Sequence, residues 1–208
     1  MLKTENIAFS YNQETTFNFP NIKLNDNDSL LILGESGIGK TTLLHLLAGI
    51  LSPDEGSILI NNTNISKLSA KKLDAFRGKN IGLIFQNTIA VSSISIYENI
   101  QSRLYFSGIK NQKSATEDIL KQLDLSHVKH QKPNTLSTGQ LQRLGIALGV
   151  IHKPCVILAD EPTSSLDDKN CDLVIELLKS QAKKANANLI IITHDQRIKN
   201  SFDNTLVL

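Results

Sequence analysis

This sequence has few cysteines, a small net charge and no long apolar run. The only two cysteines, Cys155 and Cys171, are too few for a disulfide framework, and no second pair of metal ligands lies near them. A formal net charge of +2 over 208 residues gives no reason to expect nucleic acid as a partner. No segment approaches the roughly 18 consecutive apolar residues of a membrane-spanning helix, and the first residues lack the apolar core of a signal peptide. We therefore expect a soluble protein of the reducing cytoplasm, which is compatible with work on a membrane protein.

The chain also lacks tandem repeats and Pro/Gly-rich linkers, so its length favours a single domain over residues 1–208. Helical patterns separate its apolar runs, the first of them at residues 40–51. Buried strands that alternate with helices predict an α/β fold with a mostly parallel central sheet. An antiparallel β part at the N-terminus and a helical insertion at about residues 88–150 complete the expected architecture. The apolar runs typical of buried strands occupy residues 29–33, 81–85, 156–159 and 189–192.

A complete P-loop pattern follows the first buried strand, at residues 34–41. Its glycines let the backbone curl so that N–H groups point at phosphate oxygens, and the next helix presents its N-terminus to the same anion. Lys40 supplies positive charge to the terminal phosphates, and the Thr41 hydroxyl is a candidate ligand of Mg²⁺. A chance glycine turn is the alternative, which the strand before and the helix after argue against. The expected phosphate-binding residues are Gly34, Glu35, Ser36, Gly37, Ile38, Gly39, Lys40, Thr41 and Thr42.

Two carboxylates, Asp160 and Glu161, follow another buried strand. In a P-loop fold an aspartate at this place holds the Mg²⁺ shell. Glu161 comes one residue later and is a candidate general base for the water that attacks the γ-phosphate. A solvated acidic turn is the alternative, and the P-loop elsewhere in the chain makes it the weaker one.

Residues 136–140 (Leu-Ser-Thr-Gly-Gln) resemble the LSGGQ signature of the ATP-binding cassette (ABC) family. Residues 141–143 (Leu-Gln-Arg) continue the match. The sequence departs from the family pattern at Thr138, where glycine is usual, and at Leu148, where arginine is frequent. We do not interpret Thr138 as a loss of function. The resemblance covers essentially the whole chain, from Tyr11 to the last strand.

The resemblance implies roles for residues outside the P-loop. Tyr11 is similar to the aromatic residue that stacks on adenine, although alone it would be taken for a strand-edge aromatic. Gln86 is similar to the glutamine that contacts Mg²⁺, and His194 to the switch histidine, although singly each is an ordinary polar residue. The implied catalytic residues are Lys40, Gln86, Glu161 and His194, and the implied metal ligands are Thr41, Gln86 and Asp160.

The family also implies a site shared between two protomers. The signature residues Ser137, Gly139 and Gln140 would cover the γ-phosphate held by the P-loop of a second copy. Residues 164–167 (Ser-Ser-Leu-Asp) resemble the loop that links the two sites, which adds Asp167 to the nucleotide-binding set. The implied cofactors are ATP and Mg²⁺. The implied partners are a second cassette and membrane-spanning subunits, with the cassette on the cytoplasmic face of the membrane.

We therefore expect the ATP-hydrolysing subunit of an ABC transporter, with an ABC ATPase outside transport as the alternative. Residues 77–86 and 97–100 most resemble cassettes of the lipoprotein-release and macrolide-export group, whereas residues 164–167 are closer to importers. The uncharged, partly apolar segment after Gln86, up to Ser95, is expected to contact a membrane subunit. Packing of that segment on its own domain is the alternative.

Overall fold

The structure of the protein is a computed structural model that describes residues 1–12, 15–110, 112–164 and 166–208. Helices separate the strands at residues 29–33, 81–84, 156–160 and 188–193, as the apolar runs predict. The strands are β1 (Leu2–Asn12), β2 (Thr15–Asn18), β3 (Lys23–Leu24), β4 (Ser29–Leu33), β5 (Glu55–Ile60), β6 (Thr63–Asn64), β7 (Ile81–Ile84), β8 (Val156–Asp160), β9 (Asn188–Thr193) and β10 (Thr205–Val207). The α-helices are α1 (Lys40–Leu47), α2 (Ala70–Asn80), α3 (Ile96–Phe106), α4 (Gln112–Gln122), α5 (Thr138–Val150) and α6 (Asp168–Ala185).

The described strands form two sheets. One sheet has the order β10-β4-β9-β8-β7, and all of its pairs are parallel. In the other sheet, β1 pairs antiparallel with β2, β3 and β5, and β5 pairs with β6. The predicted parallel central sheet and the N-terminal antiparallel part are therefore both confirmed.

The parallel sheet is covered on both faces because side chains alternate across a strand. In β4, Leu31 and Leu33 pack with the apolar sides of α5 and α6, whereas Leu30 and Ile32 pack with the leucines of α1 and with β1 and β5. Strands β8 and β9 alternate in the same way. Burying a side chain of this size stabilises the fold by about 1.5–3 kcal/mol, so these strands form the core that supports the loops at their ends.

Two of the helices begin at capping boxes. Ser95 and Glu98 form a capping box at the start of α3, and Ser137 and Gln140 form another at the start of α5. Helix α1 is shorter than the pattern over residues 40–51 predicts, because Gly49 turns the chain with φ of 64°. None of the helices in the described ranges is long and apolar enough to cross a membrane.

A buried polar contact joins α3 to the end of α5. His152 is 4% exposed, and its Nε2 accepts a hydrogen bond of 2.8 Å from the guanidinium of Arg103. Arg103 also donates to the carbonyl of Gly78 and to the hydroxyl of Ser107. Burial, and then the charge of Arg103, lowers the pKa of His152 to about 4. The imidazole is therefore neutral at physiological pH.

This low pKa predicts a pH-dependent stability. Between pH 6.5 and about 4 the unfolded chain binds a proton at His152 that the folded chain does not, so the free energy of unfolding should decrease as the pH falls through that window. The loss should reach roughly 3 kcal/mol. Urea unfolding across this pH range would measure it, and His152→Gln should flatten the dependence. The exposed His130→Gln is the matched control. Equal pH dependence in His152→Gln and the unaltered protein would contradict the assignment.

Candidate functional site

The candidate site lies at the carboxyl edge of the parallel sheet. Leu33 at the end of β4 pairs with Thr193 at the end of β9, and Asp160 at the end of β8 pairs with Ile192. The loops that follow these three strands therefore leave the sheet side by side. This register brings the P-loop, the acidic pair and His194 to one place.

The P-loop curls between β4 and α1 through two left-handed glycines. Gly37 has φ of 87° and Gly39 has φ of 105°. A Cβ on Gly39 would approach Cδ1 of Phe17 to 2.8 Å, so both the backbone and the packing require glycine there. Helix α1 starts directly after this turn, at Lys40, and its N-terminal N–H groups face the loop.

Lys40 is 6% exposed, and its ammonium group lies across the P-loop. Nζ donates hydrogen bonds of 2.8 Å to the carbonyls of Gly34 and Glu35, and it lies 3.9 Å from Oε1 of Glu161. The charge is thus held between the phosphate-binding loop and the acidic pair. That is the position from which a cation can contact terminal phosphates.

Oxygen ligands converge next to Lys40. The hydroxyl of Thr41 lies 3.5 Å from Oδ2 of Asp160, although 119 residues separate them in the chain. Burial, and then the neighbouring charge of Glu161, raises the pKa of Asp160, so a bound cation would relieve the cost of its ionisation. Within the described part of the chain no three acidic, histidine or cysteine side chains form a metal cluster. A hydroxyl plus one carboxylate fits Mg²⁺, which keeps waters and binds substrate phosphates.

Glu161 directly contacts His194. Nδ1 of His194 lies 2.9 Å from Oε1 of Glu161, and the backbone N–H of His194 donates to the same oxygen at 3.2 Å. The Thr193 hydroxyl donates to Oε2 at 2.7 Å. Glu161 has a left-handed φ of 48°, and its N–H donates to the carbonyl of Ile192. This uncommon backbone turns the carboxylate away from β8 and toward β9.

Tyr11 lies beside the start of α1. Its hydroxyl is 3.2 Å from the hydroxyl of Thr42, its ring packs edge-to-face on Phe9, and the side chain is 62% exposed. An exposed ring at the edge of the P-loop is suited to stacking on a base.

Gln86 is also exposed and comes two residues after Ile84, which pairs with Ala159. Gln86 therefore leaves β7 at the same edge of the sheet as the acidic pair.

The signature is exposed and lies apart from the P-loop of its own chain. Ser137, Thr138 and Gly139 are at the exposed start of α5, and a Cβ on Gly139 would meet no atom within 4 Å. Within the described ranges, no hydrogen bond joins these residues to the P-loop. Asp167 caps α6 by accepting from the N–H of Asn170. Of the loop at residues 164–167, Ser165 lies outside the described residues.

Sequence reasoning did not identify Thr193 as part of the site. Its hydroxyl donates to Glu161 and accepts a hydrogen bond of 3.0 Å from the N–H of Asp195. A signal was present, because Thr193 is the last residue of a buried strand that ends beside the P-loop strand. Its partner could be known only from the pairing of β4, β8 and β9.

Comparison with known proteins shows the family of this chain. The family model described as ABC transporter matches residues 17–164. The chain belongs to the ABC transporter family. This cassette is 34% identical over 209 residues to the lipoprotein-releasing system ATP-binding protein LolD of Bacteroides thetaiotaomicron, covering 99% of this chain and 95% of that protein. It is 40% identical over 169 residues to the ABC transporter ATP-binding protein YtrE of Bacillus subtilis, covering 80% and 73% of the two chains.

Two solved structures have the same fold. One is a dimeric, post-hydrolysis form of the ATP-binding cassette MJ0796 with ADP and phosphate, with a TM-score of 0.88, 28% identity and coverage of 100% of this chain and 94% of that chain. The other is CbiO1 of Clostridium perfringens, part of the ABC transporter complex CbiONQ, with a TM-score of 0.89, 30% identity and coverage of 99% and 83%. The cassette is an ABC-type ATPase that binds ATP.

Replacing Lys40 should weaken nucleotide binding itself. Because Nζ lies at the centre of the P-loop, Lys40→Ala should raise the Kd for ATP at least about tenfold, which corresponds to about 1.4 kcal/mol. Titration with a fluorescent ATP analogue would measure this. Lys72→Ala, on the exposed side of α2, is the matched control and should bind normally. Unchanged affinity in Lys40→Ala would show that the loop does not hold the phosphates.

Proposed function

We propose that this cassette is the ATP-hydrolysing subunit of an ABC transporter and drives transport by ATP-dependent closure of a dimer. The observation that carries the proposal is the Glu161 carboxylate, held by Thr193 and His194 only 3.9 Å from the ammonium group of Lys40. A fixed carboxylate beside a phosphate-binding loop is suited to accept a proton from an attacking water.

The other predicted site residues have complementary roles in this proposal. The P-loop backbone from Gly34 to Thr42 holds the phosphates of ATP, and Tyr11 stacks on the adenine. Thr41, Gln86 and Asp160 hold Mg²⁺, which supplies charge to the β- and γ-phosphates when bound. His194 holds the Glu161 carboxylate by Nδ1 and fixes the direction in which it accepts a proton.

The exposed signature supports a site completed by a second copy. Ser137, Gly139 and Gln140 start a helix whose N-terminus is open to an approaching anion. A groove of about 620 Å³ beside them is lined by Thr138, Asp167 and Leu173 among others, and Leu173 is 54% exposed. In MJ0796 two cassettes form a dimer. In the proposed dimer of this cassette, the signature of one copy covers the γ-phosphate held by the other.

A second groove, of about 520 Å³, fits a membrane subunit. Its exposed apolar residues are Ile89 (72%), Val91 (54%) and Phe106 (79%), and Leu148 adds another apolar wall. An exposed apolar patch of this kind is typical of a binding surface. It includes part of the segment 86–95 and one side of the helices at 88–150, which we propose to be a subdomain that binds the transporter. CbiO1, a solved relative, is part of a transporter complex.

The same relatives support a proposal for the transporter group and for the location of the cassette. LolD proteins are ATP-binding proteins of lipoprotein-releasing systems. The chain is 36% identical to LolD of Legionella pneumophila and 34% identical to LolD of Bacteroides thetaiotaomicron. They favour the lipoprotein-release group over the importers that residues 164–167 resemble. We propose that the cassette lies on the cytoplasmic face of the membrane, where ATP is available, and that it binds no nucleic acid.

Removing the proposed base should separate ATP binding from hydrolysis. Glu161→Gln keeps the size of the side chain but cannot accept the proton, so turnover should fall about 10²–10⁴-fold while ATP affinity is retained. An ATP-bound dimer should then accumulate, visible by size-exclusion chromatography with ATP and Mg²⁺. Glu176→Gln, an exposed change on α6, is the control and should hydrolyse normally. Normal turnover in Glu161→Gln would remove this residue from the base role.

The docking groove can be tested without touching the nucleotide site. Ile89→Glu places a charge in the exposed apolar surface, so co-purification with the proposed membrane subunit should fall at least about tenfold. ATPase activity of the isolated cassette should stay unchanged. Val207→Glu, a similarly exposed change on β10, should co-purify normally. If Ile89→Glu co-purifies as well as Val207→Glu, the groove is not the docking site.

A further inference from the structure

Arg197 joins three separate segments beside the candidate site. It lies in the 3-10 turn Gln196–Ser201, which follows His194. Its Nε and one terminal nitrogen donate to the two carboxylate oxygens of Asp195 at 2.9 and 2.8 Å. The guanidinium also donates to the carbonyl of Leu166 at 3.1 Å, to Oδ1 of Asp168 at 2.7 Å and to the carbonyl of Thr163 at 3.4 Å. One side chain thus holds both flanks of the loop after Glu161.

The contact with Asp195 is the buried part of this arrangement. Asp195 is 8% exposed and also accepts a hydrogen bond of 2.9 Å from the hydroxyl of Thr163, which is fully buried. The hydrogen bonds from Arg197, with those from Thr163, lower the pKa of Asp195 to about 2. By contrast, Asp168 is exposed, and an exposed ion pair contributes little to stability. The bidentate pair with Asp195 and the two backbone carbonyls are therefore the contacts that fix the loop.

The same network continues to the candidate base. The N–H of Asp195 donates to the Thr193 hydroxyl at 3.0 Å, and that hydroxyl donates to Glu161 at 2.7 Å. A continuous series of hydrogen bonds therefore runs from the loop through Arg197, Asp195 and Thr193 to the Glu161 carboxylate. Movement of the loop flanks would move the carboxylate as well, unless a bond in this series breaks.

We propose that Arg197 is a positioning residue that holds the described flanks of this loop, at Thr163 and at Leu166–Asp168, in fixed relation to the Glu161–His194 pair. The inference rests on the proposed function, in which that loop faces the second site of a dimer. Through Arg197, a shift of Glu161 in one site is then linked to a shift of the loop that the same copy presents to the other site. Only a planar guanidinium supplies donors for a bidentate carboxylate contact and two carbonyls together, so lysine cannot replace it.

The first test separates positioning from nucleotide binding. Arg197→Gln should lower kcat about tenfold while the affinity for a fluorescent ATP analogue changes less than about twofold, because the hydrogen bonds of Arg197 go to Asp195, Asp168 and the carbonyls of Thr163 and Leu166 and not to the described P-loop residues. Arg197→Lys keeps the positive charge but not the planar donors, so its kcat should stay as low as that of Arg197→Gln. If Arg197→Gln does not fold, kcat of Arg197→Lys is the measurement that tests the proposal. Lys199→Gln, exposed on the same turn, is the matched control. Thermal unfolding of each variant shows whether the fold is retained.

The second test examines the link between sites in the Glu161→Gln background. There, adding Arg197→Gln should raise the ATP concentration needed for dimer formation about tenfold, as measured by size-exclusion chromatography. If Glu161→Gln protein itself forms no ATP-dependent dimer, the proposed dimer is wrong, and kcat of Arg197→Gln alone still decides the link to Glu161. Unaltered kcat and dimerisation in folded Arg197→Gln would overturn the inference. The ion pair of Arg197 with Asp195 would then have a structural role only. A parallel loss of ATP affinity and kcat would overturn it as well.

Discussion

The parallel pairing of β4, β9 and β8 is the constraint on which the site depends. Parallel strands all end at the same edge of their sheet, so the loops after them are neighbours regardless of sequence separation. Here the register places Leu33 opposite Thr193 and Asp160 opposite Ile192. The apolar side chains that bury these strands on both faces hold that register, because a slip of one residue would exchange the two faces.

The charged side chains at the carboxyl edge of the parallel sheet suit a polyanion that binds together with a cation. Lys40 is almost fully buried and is held by two backbone carbonyls, with Glu161 at 3.9 Å. Asp160 and Glu161 are adjacent, and their mutual repulsion adds to burial in raising the pKa of Asp160. The ammonium group of Lys40 and the carboxylates of Asp160 and Glu161 therefore occupy one small site. Each group would be costly to bury without the other.

In the proposed dimer, a second copy completes the nucleotide site. The signature begins an exposed helix, and Asp167 lies at the start of α6 and lines the groove beside it. Solved structures of this family include a dimeric cassette. Closing two copies around ATP would exclude water and increase every electrostatic interaction at the γ-phosphate. The network through Arg197 connects the loop at that junction to the base.

The sequence alone determined the elements and the chemistry of this protein, whereas the tertiary structure decided which side chains meet. The glycine spacing of the P-loop, the carboxylates after β8 and the capping boxes are local patterns, since turn geometry and helix capping act within a few residues. The contact of Glu161 with His194 spans 33 residues and needs the pairing of β8 with β9 and a left-handed backbone at Glu161. The contacts of Arg197 were likewise invisible in the sequence. They join residues 29 and 31 positions apart, and only the packed fold brings such residues within hydrogen-bond distance.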